Sequence, residues 1–130
     1  MTDTVQETDG VVGSTTTWLF KEDNPDRTYW VGFEIKPDRL IVHDFEMGEG
    51  VEDRRGDSDI EHYVTIQRAE VAEFILACCA LHTIESVPEN PSDAEIKQVM
   101  HQVFDGQKNT IFQVKDILKN NNITYDFQIW

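Results

Sequence analysis

The chain has 130 residues, and its 25 Asp and Glu against 11 Lys and Arg give a formal net charge of −14 at pH 7. A charge of that sign disfavours binding to nucleic acid and anionic membranes and attracts basic protein surfaces. No apolar run approaches the roughly 20 residues needed to span a bilayer. The opening residues MTDTVQETDG lack the basic and apolar regions of a secretory signal, so none is expected.

Residues 1–14 are rich in Thr, Asp, Glu and Gly, and we expect a flexible acidic tail there, ahead of a single domain over residues 15–130. The next three segments, TTTWLFKE, RTYWVGFEIK and RLIVHDFE, alternate with period two and are separated by turn residues. They predict a three-stranded antiparallel meander. One face of the second strand is expected to carry Tyr29, Val31, Phe33 and Ile35. A fourth strand over residues 60–67 is expected to carry Ile60, Val64 and Ile66 on one side.

The periodicity then changes to that of helices. A first helix is predicted near residues 68–82, and a second follows the Ser92-x-x-Glu95 capping box and ends at Gly106. A third helix is predicted from about Thr110 to the Asn residues at 120–122. Strands, then helices, then one returning strand predict an α+β fold. We expect an antiparallel sheet of about five strands, formed by the N-terminal meander and the C-terminal strand, with three helices packed on one face.

The last segment, ITYDFQIW, alternates cleanly along its length. Period-two alternation predicts a strand with one apolar face and one outward face. The predicted inward residues are Ile123, Tyr125, Phe127 and Ile129. Trp130 falls on the opposite face, where an exposed aromatic side chain suits an interface anchor.

The two cysteines, Cys78 and Cys79, are adjacent in the first predicted helix. Neighbouring residues on a helix point in different directions, so this pair suits a disulfide poorly. A reduced, cytoplasmic protein is therefore predicted. Buried in an apolar helix, the two thiols would act as small, inert apolar groups.

The acidic residues concentrate in one segment, which reads DFEMGEGVEDRRGDSDIE over residues 44–61. Only Arg54 and Arg55 oppose them. The segment carries eight carboxylates: Asp44, Glu46, Glu49, Glu52, Asp53, Asp57, Asp59 and Glu61. We predict that these side chains, together with Trp130, form the surface that binds a basic protein partner. Two alternative interpretations need no partner: a solvated acidic loop of no special role, and a generic acidic domain adapted to salt.

Clustered carboxylates also suit metal-dependent or acid–base enzymes. Asp57, Asp59 and Glu61 match the start of an EF-hand loop, but His62 stands where that loop needs Gly and Arg68 where it needs a bidentate Glu. Only an irregular oxygen cage for a divalent cation remains open. Acid–base catalysis needs a carboxyl group whose pKa is raised by burial, which a Gly-rich charged segment does not predict.

Histidines give a second possible site for chemistry. If the strands of His43 and His62 pair, these histidines could form a metal or proton-transfer site with Asp44 or Glu61. A lone histidine on a strand is more often a surface residue or a satisfied core residue. We therefore predict no catalytic residue, no metal and no cofactor.

The segment HDFEMGEGVEDRRGDSDIEHYVTI, residues 43–66, resembles a pattern in small bacterial immunity proteins of polymorphic-toxin and contact-dependent growth inhibition systems. In that pattern a strand with an acidic end leads into a Gly-containing acidic loop, then Gly-Asp-x-Asp-x-Glu and another strand. The matching positions here are Asp44, Gly48, Glu52, Gly56, Asp57, Asp59 and Glu61. The resemblance implies a cytoplasmic protein that binds and neutralises a toxin domain, often a basic nuclease. It implies little about architecture, because immunity proteins share function more than fold.

Overall fold

A computed structural model describes residues 16–48, 59–84 and 88–130. The predicted tail over residues 1–14 and most of the acidic segment, residues 49–58, lie outside the described residues. The elements are β1 (Thr17–Asn24), β2 (Arg27–Ile35), β3 (Arg39–Gly48), β4 (Asp59–Gln67), α1 (Arg68–Leu81), α2 (Asp93–Phe104), α3 (Thr110–Asn120) and β5 (Asp126–Ile129). The five antiparallel strands in one open sheet and the three helices of these described ranges confirm the predicted α+β class.

The strands follow one another across the sheet in chain order, β1-β2-β3-β4-β5, and each pair is antiparallel. Pro25 and Asp26 make the two-residue turn between β1 and β2. At the next turn the Lys36 N–H donates to the Arg39 carbonyl over 2.8 Å. The returning strand β5 pairs only with β4, so it lies at the sheet edge and leaves β3 central.

One face of the sheet packs against the helices. Phe33 of β2, Val42 of β3 and Val64 of β4 are neighbours on that face and are fully buried. The helices contribute these residues to the core: Val71, Phe74, Ile75, Cys78, Cys79, Ile96, Val99, Met100, Val103, Phe104, Ile111, Val114, Ile117 and Leu118. Each large apolar side chain buried in this way contributes about 1.5–3 kcal/mol before entropy is counted. The alternation predicted for β2 and β4 is confirmed.

The second helix begins and ends as its sequence predicts. The Glu95 N–H donates to Ser92 Oγ over 3.2 Å, and the Ser92 N–H donates to Glu95 Oε1 over 2.8 Å. After Phe104 the chain turns at Gly106, whose φ of +73° is a conformation that favours glycine. The Gly106 N–H donates to the Leu19 carbonyl over 2.8 Å, which ties the end of α2 to β1.

The first helix carries the two cysteines. Cys78 and Cys79 are both buried and both free thiols, as predicted for this helix. Burial raises the pKa of the Cys78 thiol to about 12, and it also raises that of Cys79. Thiols held protonated in this way are poor nucleophiles. None of the helices in the described parts of the chain is long and apolar enough to cross a membrane.

The C-terminal strand differs from its prediction in length and in one side chain. Ile123 is buried in the core but lies before β5, and Tyr125 and Phe127 are half-buried against the core. Ile129 lies on the same face as Phe127, as predicted, but it is 52% exposed. Its predicted burial is wrong because Ile129 pairs with His62 at the sheet edge, where the apolar core gives way to polar side chains.

The face of the sheet away from the helices carries aromatic rings. Trp18 lies across β2, with its ring centroid 5.1 Å from that of Trp30 and 5.8 Å from that of His43. Gly32 makes this approach possible, because a Cβ there would lie only 2.8 Å from Trp18 Cε3. Tyr63 stacks on the other side of His43 at 5.7 Å. His43 is therefore buried on the face that none of the described helices covers.

Burial of His43 leads to a pH prediction. Desolvation lowers the pKa of His43 below its ordinary value of 6.5, although the charges of Glu34, Asp44 and Glu61 oppose that shift. Below about pH 6.5 the unfolded chain therefore binds a proton that the folded protein excludes, so the free energy of unfolding falls as the pH drops from there. His43→Phe should lose less stability than the wild type between about pH 7 and pH 5 in urea unfolding. The exposed His82, changed to Phe, should keep the wild-type pH dependence; an unchanged pH dependence in His43→Phe would contradict the expectation.

Candidate functional site

The first residue of the predicted binding surface is buried. Asp44 is 3% exposed and its side chain faces the helix side of the sheet, in line with Leu40 and Val42 of the same strand. The expectation that its carboxylate contributes exposed charge is wrong. The physical reason is strand alternation, which places every second residue of β3 on the covered face.

The Asp44 carboxylate is held by three hydrogen bonds. Asp44 Oδ1 accepts from the His62 backbone N–H over 3.2 Å and lies 2.7 Å from His62 Nδ1. Asp44 Oδ2 accepts from the Tyr29 hydroxyl over 2.9 Å. A carboxylate oxygen accepts hydrogen bonds, so Nδ1 carries a proton in this contact, and in the neutral imidazole Nε2 then has a lone pair.

The sheet register brings these three side chains together. Asp44 pairs directly with His62, and Tyr29 pairs with Glu46, one position further along the same face. Side chains that are opposite or diagonal on adjacent strands are close enough to interact. Three segments that are far apart in sequence therefore meet on one face of the sheet.

Tyr29 also joins the sheet to the segment before α3. Its hydroxyl oxygen lies 2.9 Å from the Lys108 carbonyl oxygen as well as 2.9 Å from Asp44 Oδ2, so one proton serves two acceptors. Burial, and next the charge of Asp44, raise the pKa of Tyr29, which keeps this hydroxyl protonated and able to donate. The contact positions Lys108 and Asn109 above the carboxylate.

These groups line an open cavity of about 580 Å³, which we term the Asp44 pocket. Its lining residues are Arg27, Tyr29, Asp44, Glu46, Ile60, His62, Lys108, Asn109 and Phe112. Its volume lies within the range of about 300–1,000 Å³ common for ligand sites. Phe112, on α3, is 62% exposed and belongs to the pocket wall.

Ion pairs order the charged wall of the Asp44 pocket. Arg27 Nε lies 2.9 Å from Glu46 Oε2, and the Arg27 guanidinium carbon lies 5.0 Å from the centroid of the Tyr29 ring. Lys108 Nζ lies 3.3 Å from Glu22 Oε1 on β1. Glu46, a predicted binding residue, is therefore partly covered and already paired with a cation.

The remaining predicted binding residues are divided between places. Glu61 lies on the face of the sheet away from the described helices and accepts a hydrogen bond from the Tyr63 hydroxyl. Trp130 pairs with Glu61 through its backbone, and its side chain is 69% exposed. The backbone of Asp59 pairs with Met47 at the start of β4. Four more lie outside the described residues: Glu49, Glu52, Asp53 and Asp57.

The possible site formed by His43 and His62 together is not present, because only His62 contacts Asp44. His43 pairs with Tyr63 and faces away from the helices, whereas His62 faces the Asp44 pocket, so the two imidazoles lie on opposite faces. Within residues 16–48, 59–84 and 88–130, no group of three or more His, Cys, Asp or Glu side chains is arranged to hold a metal ion. An Asp–His pair orients an imidazole, which serves acid–base chemistry or the recognition of a hydrogen-bond donor.

Sequence reasoning missed the other walls of the pocket. Arg27 and Tyr29 lie on the same face of β2 as Val31 and Phe33, because the four are spaced two residues apart. This is also the face of Asp44, so the period of β2 could have predicted that Arg27 and Tyr29 line the pocket. Lys108 and Phe112 approach from the connection between α2 and α3 and from α3 itself, far along the chain. Nothing in their local sequence indicates that contact.

Comparison of the chain with protein-family models, with curated proteins and with solved structures gives no match. The resemblance of residues 43–66 to immunity proteins therefore stays a prediction. Function is inferred from the charge, the pocket and the exposed side chains of this chain.

Proposed function

We propose that the protein is an acidic binding module that binds and neutralises a basic protein, as an immunity protein neutralises a toxin domain such as a basic nuclease. The observation that carries the proposal is the concentration of eight carboxylates in residues 44–61 of a chain with net charge −14. A cytoplasmic location, where such a toxin would act, is part of the proposal.

The chain order links the acidic connection to the ends of two paired strands. β3 ends at Gly48 and β4 begins at Asp59, and these strands pair up to Met47 and Asp59. Residues 49–58, which carry Glu49, Glu52, Asp53 and Asp57, join these two adjacent strands in sequence. A basic partner would meet the acids of this connection; Glu46 and Glu61, on the flanking strands, face opposite sides of the sheet.

Such an arrangement acts mainly on the rate of association. A patch of one sign raises the local concentration of an oppositely charged partner, and salt screens the effect over about 8–10 Å at physiological ionic strength. Carboxylates also make strong charge-assisted hydrogen bonds with Arg and Lys. Binding should therefore weaken as salt is added, and more through slower association than through faster dissociation.

Trp130 provides an anchor beside the charge. It is exposed and its backbone is fixed to Glu61 by two hydrogen bonds, from Trp130 N–H to Glu61 over 2.7 Å and from Glu61 N–H to Trp130 over 2.9 Å. A large aromatic side chain on a fixed backbone is typical of residues that dominate interface energies. We include Trp130 in the proposed surface for this reason.

Charge reversal tests the proposal. Changing Glu49, Glu52, Asp57 and Asp59 to Lys should slow association with the basic partner by about tenfold or more at low salt, because steering by the patch is lost. The first partner to express is any basic toxin domain encoded by a neighbouring reading frame. Association and dissociation rates are measured by surface plasmon resonance over a series of salt concentrations.

A matched control separates the patch from the total charge. The variant with Glu73, Glu89, Asp116 and Asp126 changed to Lys has the same net charge, and its changes fall on exposed residues outside the acidic segment. It should associate much faster than the first variant. Equal rates for the two variants would show that only total charge matters, and wild-type kinetics in the first variant would remove residues 49–59 from the interface.

A further inference from the structure

We propose that the Asp44 pocket receives an arginine side chain of the basic partner, an assignment that rests on the function proposed above. It names one contact within the larger acidic surface. The argument uses the free acceptor in the pocket, its charge and the aromatic wall.

The first step is the identity of the free polar atom. Asp44 accepts bonds from Tyr29 and from the backbone and ring of His62, so its own oxygens are occupied. The same contact holds a proton on Nδ1 of His62, and in the neutral imidazole Nε2 then presents a lone pair. Because the His62 side chain lines the pocket and is partly exposed, the group that binds there has to donate a hydrogen bond.

The second step is charge. Among the described residues in and behind the pocket wall, the three carboxylates of Asp44, Glu46 and Glu22 outnumber the two cations of Arg27 and Lys108 by one. Unbalanced charge near a partly covered surface is best neutralised by an opposite charge that is also hydrogen-bonded. A cationic donor meets both requirements.

The third step is shape. Phe112 and Ile60 give the pocket an apolar wall, which suits the aliphatic part of a long side chain. The pocket already contains one guanidinium over an aromatic ring, that of Arg27 over Tyr29, and the exposed ring of Phe112 offers a second. A cation over an aromatic face gains about 0.5–2 kcal/mol, depending on its solvation.

These steps favour arginine over lysine. A guanidinium is planar and carries its N–H donors in a rigid fork, so it stacks on a ring while donating in its own plane to an acceptor such as Nε2. A lysine ammonium is a compact, strongly hydrated charge that does not stack in this way. The pocket combines one acceptor with one aromatic wall, so a guanidinium can donate a hydrogen bond to the acceptor and stack on the ring at the same time.

The test uses small probes with the complete chain. N-acetyl-L-argininamide is titrated into labelled protein, and NMR follows the ring nitrogens of His62 and the ring protons of Phe112. We expect saturable shifts at both residues with a dissociation constant of about a millimolar, since the probe is small. The lysine and citrulline analogues should bind about tenfold more weakly, because one lacks the planar fork and the other lacks the charge.

Two variants locate the site. Phe112→Ala removes an exposed ring and should weaken the arginine probe several-fold without loss of folding, whereas Leu81→Ala, at a similarly exposed apolar residue on α1, should leave it unchanged. His62→Phe removes the acceptor and should abolish the shift of Phe112. The free protein should also show the nitrogen shifts of an imidazole protonated on Nδ1, a readout that folding alone does not produce.

Failure of this inference is distinct from failure of the proposed function. Equal binding of the three probes, or an unchanged affinity in Phe112→Ala, overturns the arginine assignment. A partner that responds to charge reversal at residues 49–59 but not to Phe112→Ala or His62→Phe also overturns it, and leaves the proposed function standing. Selective binding of the arginine probe supports the pocket even if no basic partner responds to charge reversal.

Discussion

Removal of residues 123–130 is expected to unfold the protein or leave it without fixed tertiary packing. Ile123 is 4% exposed in the core, and Tyr125 and Phe127 pack against the core while half-buried. Their burial contributes about 3–6 kcal/mol before entropy is counted, against a total stability of about 5–15 kcal/mol for a typical domain. Loss of β5 also turns β4 into an unpaired edge. Circular dichroism during heating measures the effect.

A shorter deletion provides the control. Removing only Ile129 and Trp130 takes away two exposed side chains and the backbone pair with Glu61, so most of the stability should remain. Binding of the basic partner should nevertheless weaken, because Trp130 is part of the proposed surface. A collapsed thermal transition in this variant would show that the last two residues belong to the core, in conflict with their exposure.

The strands and helices could be predicted from the sequence because each buries one face, which gives its apolar residues a regular spacing. In β2, Tyr29, Val31 and Phe33 alternate as the sheet requires, and the capping box at Ser92 and Glu95 marks the start of α2. Ile129 was wrongly predicted to be buried. Its apolar character fits the alternation, but its burial depends on where the helices end over the sheet. That extent is a tertiary property and has no local signal.

The site was less readable, and Asp44 shows why. Its place in an acid-rich segment indicated an exposed charge, although its parity with Leu40 and Val42 already indicated the covered face. That Asp44 pairs with His62 depends on the register between β3 and β4, and the connection over residues 49–58 does not determine this register from sequence alone. The contact from Lys108 to Tyr29 joins residues 79 positions apart and follows only from packing.

Replacement of Asp44 should have the second large effect on stability. In Asp44→Leu, the backbone and ring N–H groups of His62 lose their acceptor, and the Tyr29 hydroxyl keeps only the Lys108 carbonyl. A buried donor without a partner costs about 1–3 kcal/mol, so we expect a total loss of about 2–5 kcal/mol. Glu46→Leu breaks a partly exposed ion pair with Arg27, and a pair of that kind contributes less than about 1 kcal/mol. Urea unfolding of both variants gives the comparison.

A double-mutant cycle separates the network from simple packing. Tyr29→Phe removes one hydroxyl and, combined with Asp44→Leu, should cost clearly less than the sum of the two single changes, because the hydroxyl has already lost its carboxylate acceptor. We expect a coupling energy of about 1–2 kcal/mol between Asp44 and Tyr29. Asp44→Asn should fall between the wild type and Asp44→Leu, since one amide oxygen still accepts from His62 while the amide nitrogen cannot accept from Tyr29. Additive losses, or an Asp44→Leu variant as stable as the wild type, would show that Asp44 does not hold Tyr29 and His62 in place.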